Sequence, residues 1–346
     1  MQHDNLFRGA AALILVGGAL TLLFLGRGFL VPLVVAGLLA MMTVPLDNWL
    51  MNRGVPKGVS IGLVTLLLIT VLAGVLVLLG YQSRKVFTDL DQIEQRASDR
   101  VDKLQVVAEE RLGFELNQDF NVERYSERIL RSSANLLLTL VGSVGTLLLT
   151  LVYFILFLVE KARFRRFFTA IAPPARRAEM DRTVDEVTRV SRRYLYGKAI
   201  ITLILGVLYG LGFWLAGIRF AFMLALIGAL LAILPYIGNL IAAAVAALVI
   251  LATGGGGEQL LWLAGVMAVA QLLESYVLTP VIVGEEVSLN GLATVVAVVG
   301  FGSLWGAPGA ILGIPIVGMC KVAFEHVDAL RPYAYLLGTE QSTPRR

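Results

Sequence analysis

The sequence predicts an all-α membrane protein, a polytopic helical bundle of about eight transmembrane helices, each needing about 20 apolar residues. Three observations predict this fold class. The chain of 346 residues is 57% hydrophobic and only 16% charged, whereas soluble domains contain roughly 25% charged residues. Residues 199–320 carry only five charged side chains. Proline and glycine interrupt that stretch repeatedly, so the helices of the C-terminal half are expected to be broken.

The N-terminal part alternates apolar runs with short turns and one polar insert. Four runs are long enough for a crossing, namely residues 9–26, 29–51, 60–81 and 134–159. Turns at Gly26–Gly28 and Asn52–Gly58 are predicted to join the first three runs. In the polar insert, residues 82–133, apolar positions recur every three or four residues, which predicts an amphipathic helix.

Charge sets the expected orientation. Residues 160–198 contain eleven Lys and Arg side chains against five acidic ones, and such an excess is typical of a cytoplasmic segment. The insert is then extracytoplasmic, and both termini are cytoplasmic. The predicted parts are N-terminal membrane helices (1–81), the extracytoplasmic amphipathic insert (82–133), a transmembrane helix (134–159), a basic cytoplasmic linker with an amphipathic helix (160–198), a C-terminal core with broken helices (199–326) and a cytoplasmic tail (327–346).

Two topologies fit the C-terminal core. Its apolar pieces lie at residues 199–216, 220–234, 236–253, 259–278, 291–305 and 308–324. Several of these pieces are short for a crossing. Either every piece crosses and the total is ten, or residues 220–253 form a re-entrant pair broken at Pro235 and the total is eight.

Glu274 is the strongest candidate for a functional side chain. A carboxylate at membrane depth costs several kcal/mol unless it faces water or a partner, so it is a candidate for binding solute or a coupling ion. Gln271, Asn239 and Thr279 add hydrogen-bonding groups to the same apolar core. Each of the four also has a structural interpretation, because polar side chains often hold membrane helices together.

Breaks in the helices are the second kind of candidate. A broken membrane helix frees backbone groups that must be buried or face a wet cavity, and transport sites are often built in this way. The candidates for helix breaks or gating are Pro235, Gly238, Pro280, Pro308 and Pro315.

Composition argues against several other functions. The single cysteine, Cys320, and the two histidines, His3 and His326, leave little from which to build a metal site or a nucleophilic triad. The glycine run Gly254–Gly257 lacks the Lys-Ser/Thr that follows in a phosphate-binding loop. The expectation is therefore a protein with no enzymatic activity, metal or cofactor, and without nucleic acid as a partner.

Several sequence tracts together resemble the AI-2E transporter family. The resemblance covers residues 32–323, and each tract alone is a weak signal. The tracts are Leu234-Pro235-Tyr236-Ile237-Gly238, Gln271-x-x-Glu274-x-x-x-Leu278-Thr279-Pro280-x-Ile282-Val283-Gly284, Leu304-Trp305-Gly306 through Gly309 to Ile314-Pro315, Val187-x-x-Val190-x-x-x-Tyr194-x-x-Gly197, and Pro45 with Arg53-Gly54-Val55-Pro56.

The resemblance implies a multi-pass bacterial inner-membrane transporter that exports a small solute such as autoinducer-2, with a homo-oligomer, expected to be a pentamer, surrounded by lipid. Some relatives in this family are proposed to exchange sodium for protons. Many relatives carry basic residues after Gly284, whereas this chain has Glu285-Glu286, which favours a neutral or cationic solute if that loop meets solute. The leading hypothesis is a secondary transporter that works by alternating access. The alternatives are a sodium/proton antiporter and a membrane scaffold or pore that carries out no transport of its own.

Overall fold

The computed structural model describes residues 14–15, 17–88, 144–234, 237–284 and 289–339. Within these ranges the regular elements are helical, apart from one isolated bridge between Leu289 and Gly338. This confirms the predicted all-α class. The helices are α1 (17–25), α2 (Arg27–Asn52), α3 (Lys57–Thr88), α4 (Val144–Ile171), α5 (Arg177–Leu215), α6 (Ala221–Leu231), α7 (Ile237–Ala252), α8 (Gly257–Leu273), a π-helix (Glu274–Val283), α9 (Gly291–Glu325) and α10 (Arg331–Leu337), with 3-10 turns at Pro174–Arg176 and Asp328–Leu330.

By length and composition, six helical segments in the described ranges could cross a membrane, although the last of them is folded back at Gly306. They are Arg27–Asn52, Lys57–Leu78, Gly145–Ile171, Pro174–Leu215, Gly257–Val283 and Gly291–Glu325. The second half of α5 shows how such a segment meets lipid. One stripe, including Leu205 and Tyr209, is buried, and the opposite stripe, including Val207 and Leu211, is apolar and exposed. An apolar outer face of this kind is what lipid tails require.

The turn predicted at Gly26–Gly28 is found as a helix interruption at Gly26, which separates α1 from α2 with φ of −79° and ψ of 3°. The N–H of Gly26 donates to the Leu22 carbonyl over 2.8 Å, and the N–H of Leu30 donates to the Gly26 carbonyl over 2.8 Å. Both bonds span the four residues of an α-helical turn, while the Leu23 carbonyl accepts from Trp305 Nε1 at 3.0 Å. The chain does not reverse there, and α2 follows α1 directly. The second predicted turn is confirmed, since Gly54 has φ of 87° between α2 and α3.

Inter-residue contacts divide the chain into two compact units. Unit 1 comprises Met1–Thr65, Gly145–Tyr196 and Glu285–Arg346, and unit 2 comprises Leu66–Val144 and Gly197–Gly284. Unit boundaries fall inside α3 and α5 and after the first residue of α4. The predicted linker at residues 160–198 is divided between the end of α4 and the first half of α5. Most of the predicted insert at residues 82–133 lies outside the described residues, and α3 continues to Thr88.

A buried ion pair stabilises unit 1 where α2, α3 and α4 meet. The fully buried Asp47 carboxylate accepts from Lys161 Nζ at 2.7 Å and from the Ser60 hydroxyl. Nearby on the surface, Arg165 of α4 binds Asp181 and Asp185 of α5. A buried carboxylate persists only when it is paired and hydrogen-bonded, as Asp47 is. Both carboxylate oxygens of Asp47 are therefore engaged in contacts that hold the helices of unit 1 together.

Helix α9 is a hairpin within unit 1. A Cβ on Gly309 would lie 2.0 Å from the Phe301 carbonyl oxygen, and one on Gly313 would lie 2.5 Å from the Ala297 carbonyl oxygen. Residues eight and sixteen positions apart would be about 12 and 24 Å apart along a straight helix, so the chain must fold back between them. Gly306, with φ of 68° and ψ of −149°, makes the reversal. The predicted break in this region is confirmed.

Helices α6 and α7 form a second short pair, in unit 2. With 11 and 16 residues, they are about 16 and 24 Å long, less than the roughly 30 Å of a hydrocarbon core. A Cβ on Gly238 would lie 1.8 Å from the Leu231 carbonyl oxygen, so the start of α7 touches the end of α6. These lengths favour the re-entrant pair over two separate crossings. The break at Pro235 lies outside the described residues.

Candidate functional site

Three of the four polar candidates meet in unit 2. Asn239, in the first turn of α7, donates through Nδ2 to Gln271 Oε1 at 2.6 Å and to Glu274 Oε2 at 3.2 Å. Gln271 lies in the last turn of α8, and Glu274 begins the π-helix that follows it. Gln271 donates in turn to the Ser275 hydroxyl at 3.0 Å. The sequence had suggested these side chains separately, and the structure joins them in one network.

Lys198 completes the network with a positive charge. Its Nζ lies 2.9 Å from Glu274 Oε1, and the side chains of Lys198 and Glu274 are 15% and 11% exposed. The ion pair joins α5 to the π-helix, and the two residues are 76 positions apart in sequence. Hydrogen bonds between a carboxylate and an ammonium are among the strongest that side chains make. The pair is partly shielded, but neither side chain is fully enclosed.

Tyr209, eleven residues after Lys198 on α5, also contacts the network. Its hydroxyl donates to Asn239 Oδ1 at 3.4 Å, and its ring is fully buried and stacked on Phe213. The Asn239 amide therefore accepts from Tyr209 while it donates to Gln271 and Glu274. Because both ends of the amide are engaged, its orientation is fixed. Asn239 thus presents its N–H groups to the carboxylate.

A close contact between helices brings the two charges together. A Cβ on Gly197 would lie 2.7 Å from Val283 Cγ2 and 3.3 Å from Val283 Cα. Only a residue without a side chain lets α5 approach the end of the π-helix this closely. Lys198 follows directly in sequence, so the same contact places its side chain within reach of Glu274.

The π-helix itself is a further feature of the site. The N–H of Gly284 donates to the Thr279 carbonyl at 3.0 Å, five residues back, as the π pattern requires. Pro280 lies inside this helix and has no N–H to donate. A π-helical segment is often found at functional sites. Here it begins at the one carboxylate of the network.

The other sequence candidates fall in different places. Thr279 and Pro280 are exposed on the π-helix, outside the hydrogen-bonded network described above. Gly238 lies at the α6–α7 contact described above. Pro308 and Pro315 belong to the second arm of the α9 hairpin in unit 1. Pro235 is outside the described residues. Among the described residues, no three His, Cys, Asp or Glu side chains are grouped to hold a metal ion.

Sequence reasoning missed Lys198, Thr202 and Tyr209, which share one face of α5. The signal was present in the spacing, because positions 198, 202 and 209 are separated by four and seven residues and so lie on one side of a helix. The Thr202 hydroxyl is buried and has no hydrogen-bond partner among the described residues. Thr188 and Thr253, by contrast, donate to the carbonyl four residues back.

Alanine at Gly197 should loosen the ion pair, because its Cβ would push α5 away from Val283. We expect weaker binding of any ligand that depends on Glu274, and a free energy of unfolding lower by about 1–3 kcal/mol, the usual effect of overpacking. Thermal unfolding of the purified variant measures the second effect. Gly265→Ala is the matched control, since nothing lies within 4 Å of a Cβ there. Equal unfolding midpoints for the two variants would show that the close contact is unimportant.

Together, the apolar helices, the two broken hairpins and a partly exposed polar network between apolar helices define an integral membrane protein of the transport class. The sequence model of the family described as "AI-2E family transporter" matches residues 11–329. The chain belongs to this family. It is 27% identical over 316 residues to "Putative transport protein YhhT" of Escherichia coli (strain K12), covering 89% of this chain and 88% of that protein.

Two further relatives have similar coverage. "Putative transport protein YueF" of Bacillus subtilis (strain 168) is 24% identical over 316 residues, covering 86% of this chain and 84% of that protein. "AI-2 transport protein TqsA" of Escherichia coli (strain K12) is 24% identical over 336 residues, covering 94% of this chain and 95% of that protein. The similarity therefore extends over nearly the whole chain in each case.

Proposed function

We propose that the protein is a secondary transporter of a small polar solute, such as autoinducer-2, and that the network around Glu274 binds the solute or its coupling ion. The observation that carries this proposal is the Lys198–Glu274 ion pair, bonded to Asn239 and Gln271 between apolar helices. Ionisable groups in such surroundings are costly and commonly mark transport pathways. The resemblance to TqsA supports autoinducer-2 as the first solute to test.

Alternating access is the proposed mechanism. A solute can drive a conformational change only if it binds the two states with different affinity. Asn239 lies in the first turn of α7, beside the contact with α6, and Glu274 lies where α8 passes into the π-helix. A small change in the position of either helix would alter the network. The α6–α7 pair, joined to α5 through Tyr209, is the proposed moving element of unit 2.

The cellular setting is also a proposal. It places the protein in the bacterial inner membrane with both termini in the cytoplasm, as a homo-oligomer, with a pentamer as the expected number. The basic residues of 160–198 would then meet the anionic inner leaflet. Labelling a cysteine introduced within residues 82–133, in a Cys320→Ser background, with an impermeant maleimide tests the orientation. Labelling of intact cells supports it, and labelling only after lysis reverses it.

A sodium/proton antiporter is the second candidate. One observation favours it, namely that the network holds a carboxylate already paired with a cation, which is the arrangement a cation-exchanging site needs. A scaffold or pore without transport activity remains the contrasting class. It predicts no saturable, gradient-dependent flux.

The test is metabolite profiling of cells with and without the protein, followed by flux of the solute that changes into proteoliposomes. Sodium and protons are assayed in the same vesicles. We expect saturable, gradient-dependent flux by the native protein. Glu274→Gln should reduce it at least tenfold, because the amide is neutral while its size is unchanged. Glu258→Gln, outside the network in the first turn of α8, is the matched control for the loss of a carboxylate charge. Undiminished flux in Glu274→Gln would remove Glu274 from the mechanism.

A further inference from the structure

Lys198 lies at a boundary in the sequence of α5. The residues before it carry the basic and acidic side chains of 177–193, and residues 199–215 after it contain no charge. A lysine at such a boundary has a polar region within reach of its flexible four-carbon stem. Its ammonium is therefore able to leave Glu274 without entering a more apolar environment.

The rest of the network stays in place when the ammonium leaves. Asn239 holds Glu274 Oε2, while Lys198 occupies Oε1. Tyr209 and Gln271 fix Asn239, and neither of them contacts Lys198 in the described network. Departure of the ammonium thus exposes one oxygen of a preoriented carboxylate. Such an oxygen is a strong acceptor for another cation.

Thr202 supplies a second polar atom on the network face of α5. It lies one turn after Lys198 on the same face, and helical side chains lean toward the N-terminal turn, which directs its hydroxyl toward the level of Lys198. This hydroxyl is buried with no partner in the described part of the protein. Buried polar atoms are almost always hydrogen-bonded, so an unpartnered hydroxyl one turn from the ion-paired lysine points to a ligand.

Glu274 meets few other charges. Its carboxylate accepts from Lys198 of α5 and from Asn239 of α7, and the next groups in the network, Gln271 and Ser275, are uncharged. Of the remaining charged residues in 199–284, Arg219 and Glu258 lie near the opposite end of α8, where Gln259 donates to the Gly217 carbonyl. Lys198 is therefore the cation that balances Glu274 in the described part of unit 2.

We propose that Lys198 is a tethered occupant of a site for small monovalent cations, and that a cation from solution displaces its ammonium from Glu274 and is held between that carboxylate and the Thr202 hydroxyl. This inference rests on the proposed transport function and specifies its ion site. The displaced ammonium moves toward the polar half of α5. A primary ammonium ion matches the chemistry that the site already holds.

The proposal can be tested without a transport assay by removing the Lys198 side chain by mutation and supplying an ammonium group from solution. The full-length protein is purified in detergent, and its unfolding midpoint is followed against methylammonium chloride, with choline chloride keeping ionic strength constant. Lys198→Ala should be stabilised saturably by methylammonium. Its half-saturating concentration should be at least tenfold lower than that of the native protein, where the ammonium must first be displaced. Sodium chloride in place of methylammonium shows whether the site needs N–H donors.

Three controls define the outcome. The double variant Lys198→Ala/Glu274→Gln should show no saturable response, and Thr202→Val should weaken the response of Lys198→Ala. If Lys198→Ala is not recovered folded, Lys198→Met keeps the packing of the stem and takes its place. The proposal is overturned if the lysine variants respond to both cations no better than to choline, or if they half-saturate at the same concentration as the native protein. Flux could persist in either case, so the result is separate from that of the transport experiment.

Discussion

Replacing Gly309 by alanine is expected to prevent α9 from folding back on itself. The new Cβ would lie 2.0 Å from the Phe301 carbonyl oxygen and 2.7 Å from its carbon. These are backbone atoms, which cannot rotate away as the end of a side chain can. We expect the free energy of unfolding to fall by at least about 3 kcal/mol, the upper part of the usual range for overpacking. Thermal unfolding of the solubilised protein measures this effect.

Gly300→Ala is the matched control for Gly309→Ala. Gly300 belongs to the first arm of the same hairpin, and nothing lies within 4 Å of a Cβ there. Alanine also favours helix by about 1 kcal/mol over glycine, so this variant should be as stable as the native protein or more stable. If the two variants unfold at the same temperature, α9 is not folded back at Gly306 in the way described here.

Gly238→Ala should have a comparably large effect, in unit 2. The added Cβ would lie 1.8 Å from the Leu231 carbonyl oxygen, so α7 must move away from α6. Asn239 is the next residue, and its bonds to Gln271 and Glu274 should be lost with this movement. We expect both a lower unfolding temperature and a loss of the cation response proposed for Glu274.

A second variant separates the two consequences of Gly238→Ala. Asn239→Ala keeps the backbone contact but removes the amide, so it should lose cation response with a smaller loss of stability. Gly265→Ala again serves as the neutral control. A Gly238→Ala protein with native stability and a native cation response would contradict the close α6–α7 contact and its role in placing Asn239.

The sequence predicts the broken helices well, because proline and glycine act locally. The run from Gly306 to Gly309 marks the reversal of α9, and the shortness of α6 and α7 follows from the pieces on either side of Pro235. At Gly26 the helix is interrupted between α1 and α2, as the sequence predicts, but the chain does not reverse there. Glycine permits a tight turn but does not require one.

The candidate site was predicted only in part. Glu274, Asn239 and Gln271 are conspicuous because each is polar in an apolar run. Lys198 is not, since it ends a segment rich in arginine and therefore resembles an ordinary cytoplasmic residue. Its pairing with a residue 76 positions away depends on the Gly197–Val283 contact, which no local pattern encodes. The π-helix was missed as well, because no sequence period distinguishes it from an α-helix.

Access of water to the network from each side of the membrane in turn is the central claim of this account. Thr202→Cys in a Cys320→Ser background tests it most directly, because residue 202 lies one turn from Lys198 on the network face of α5. A small charged methanethiosulfonate reagent should modify this cysteine from either side in proteoliposomes. An inward gradient of the transported solute should speed modification from one side and slow it from the other. The account would be contradicted if the cysteine is modified from neither side, or if the rate of modification does not change when the solute gradient is applied.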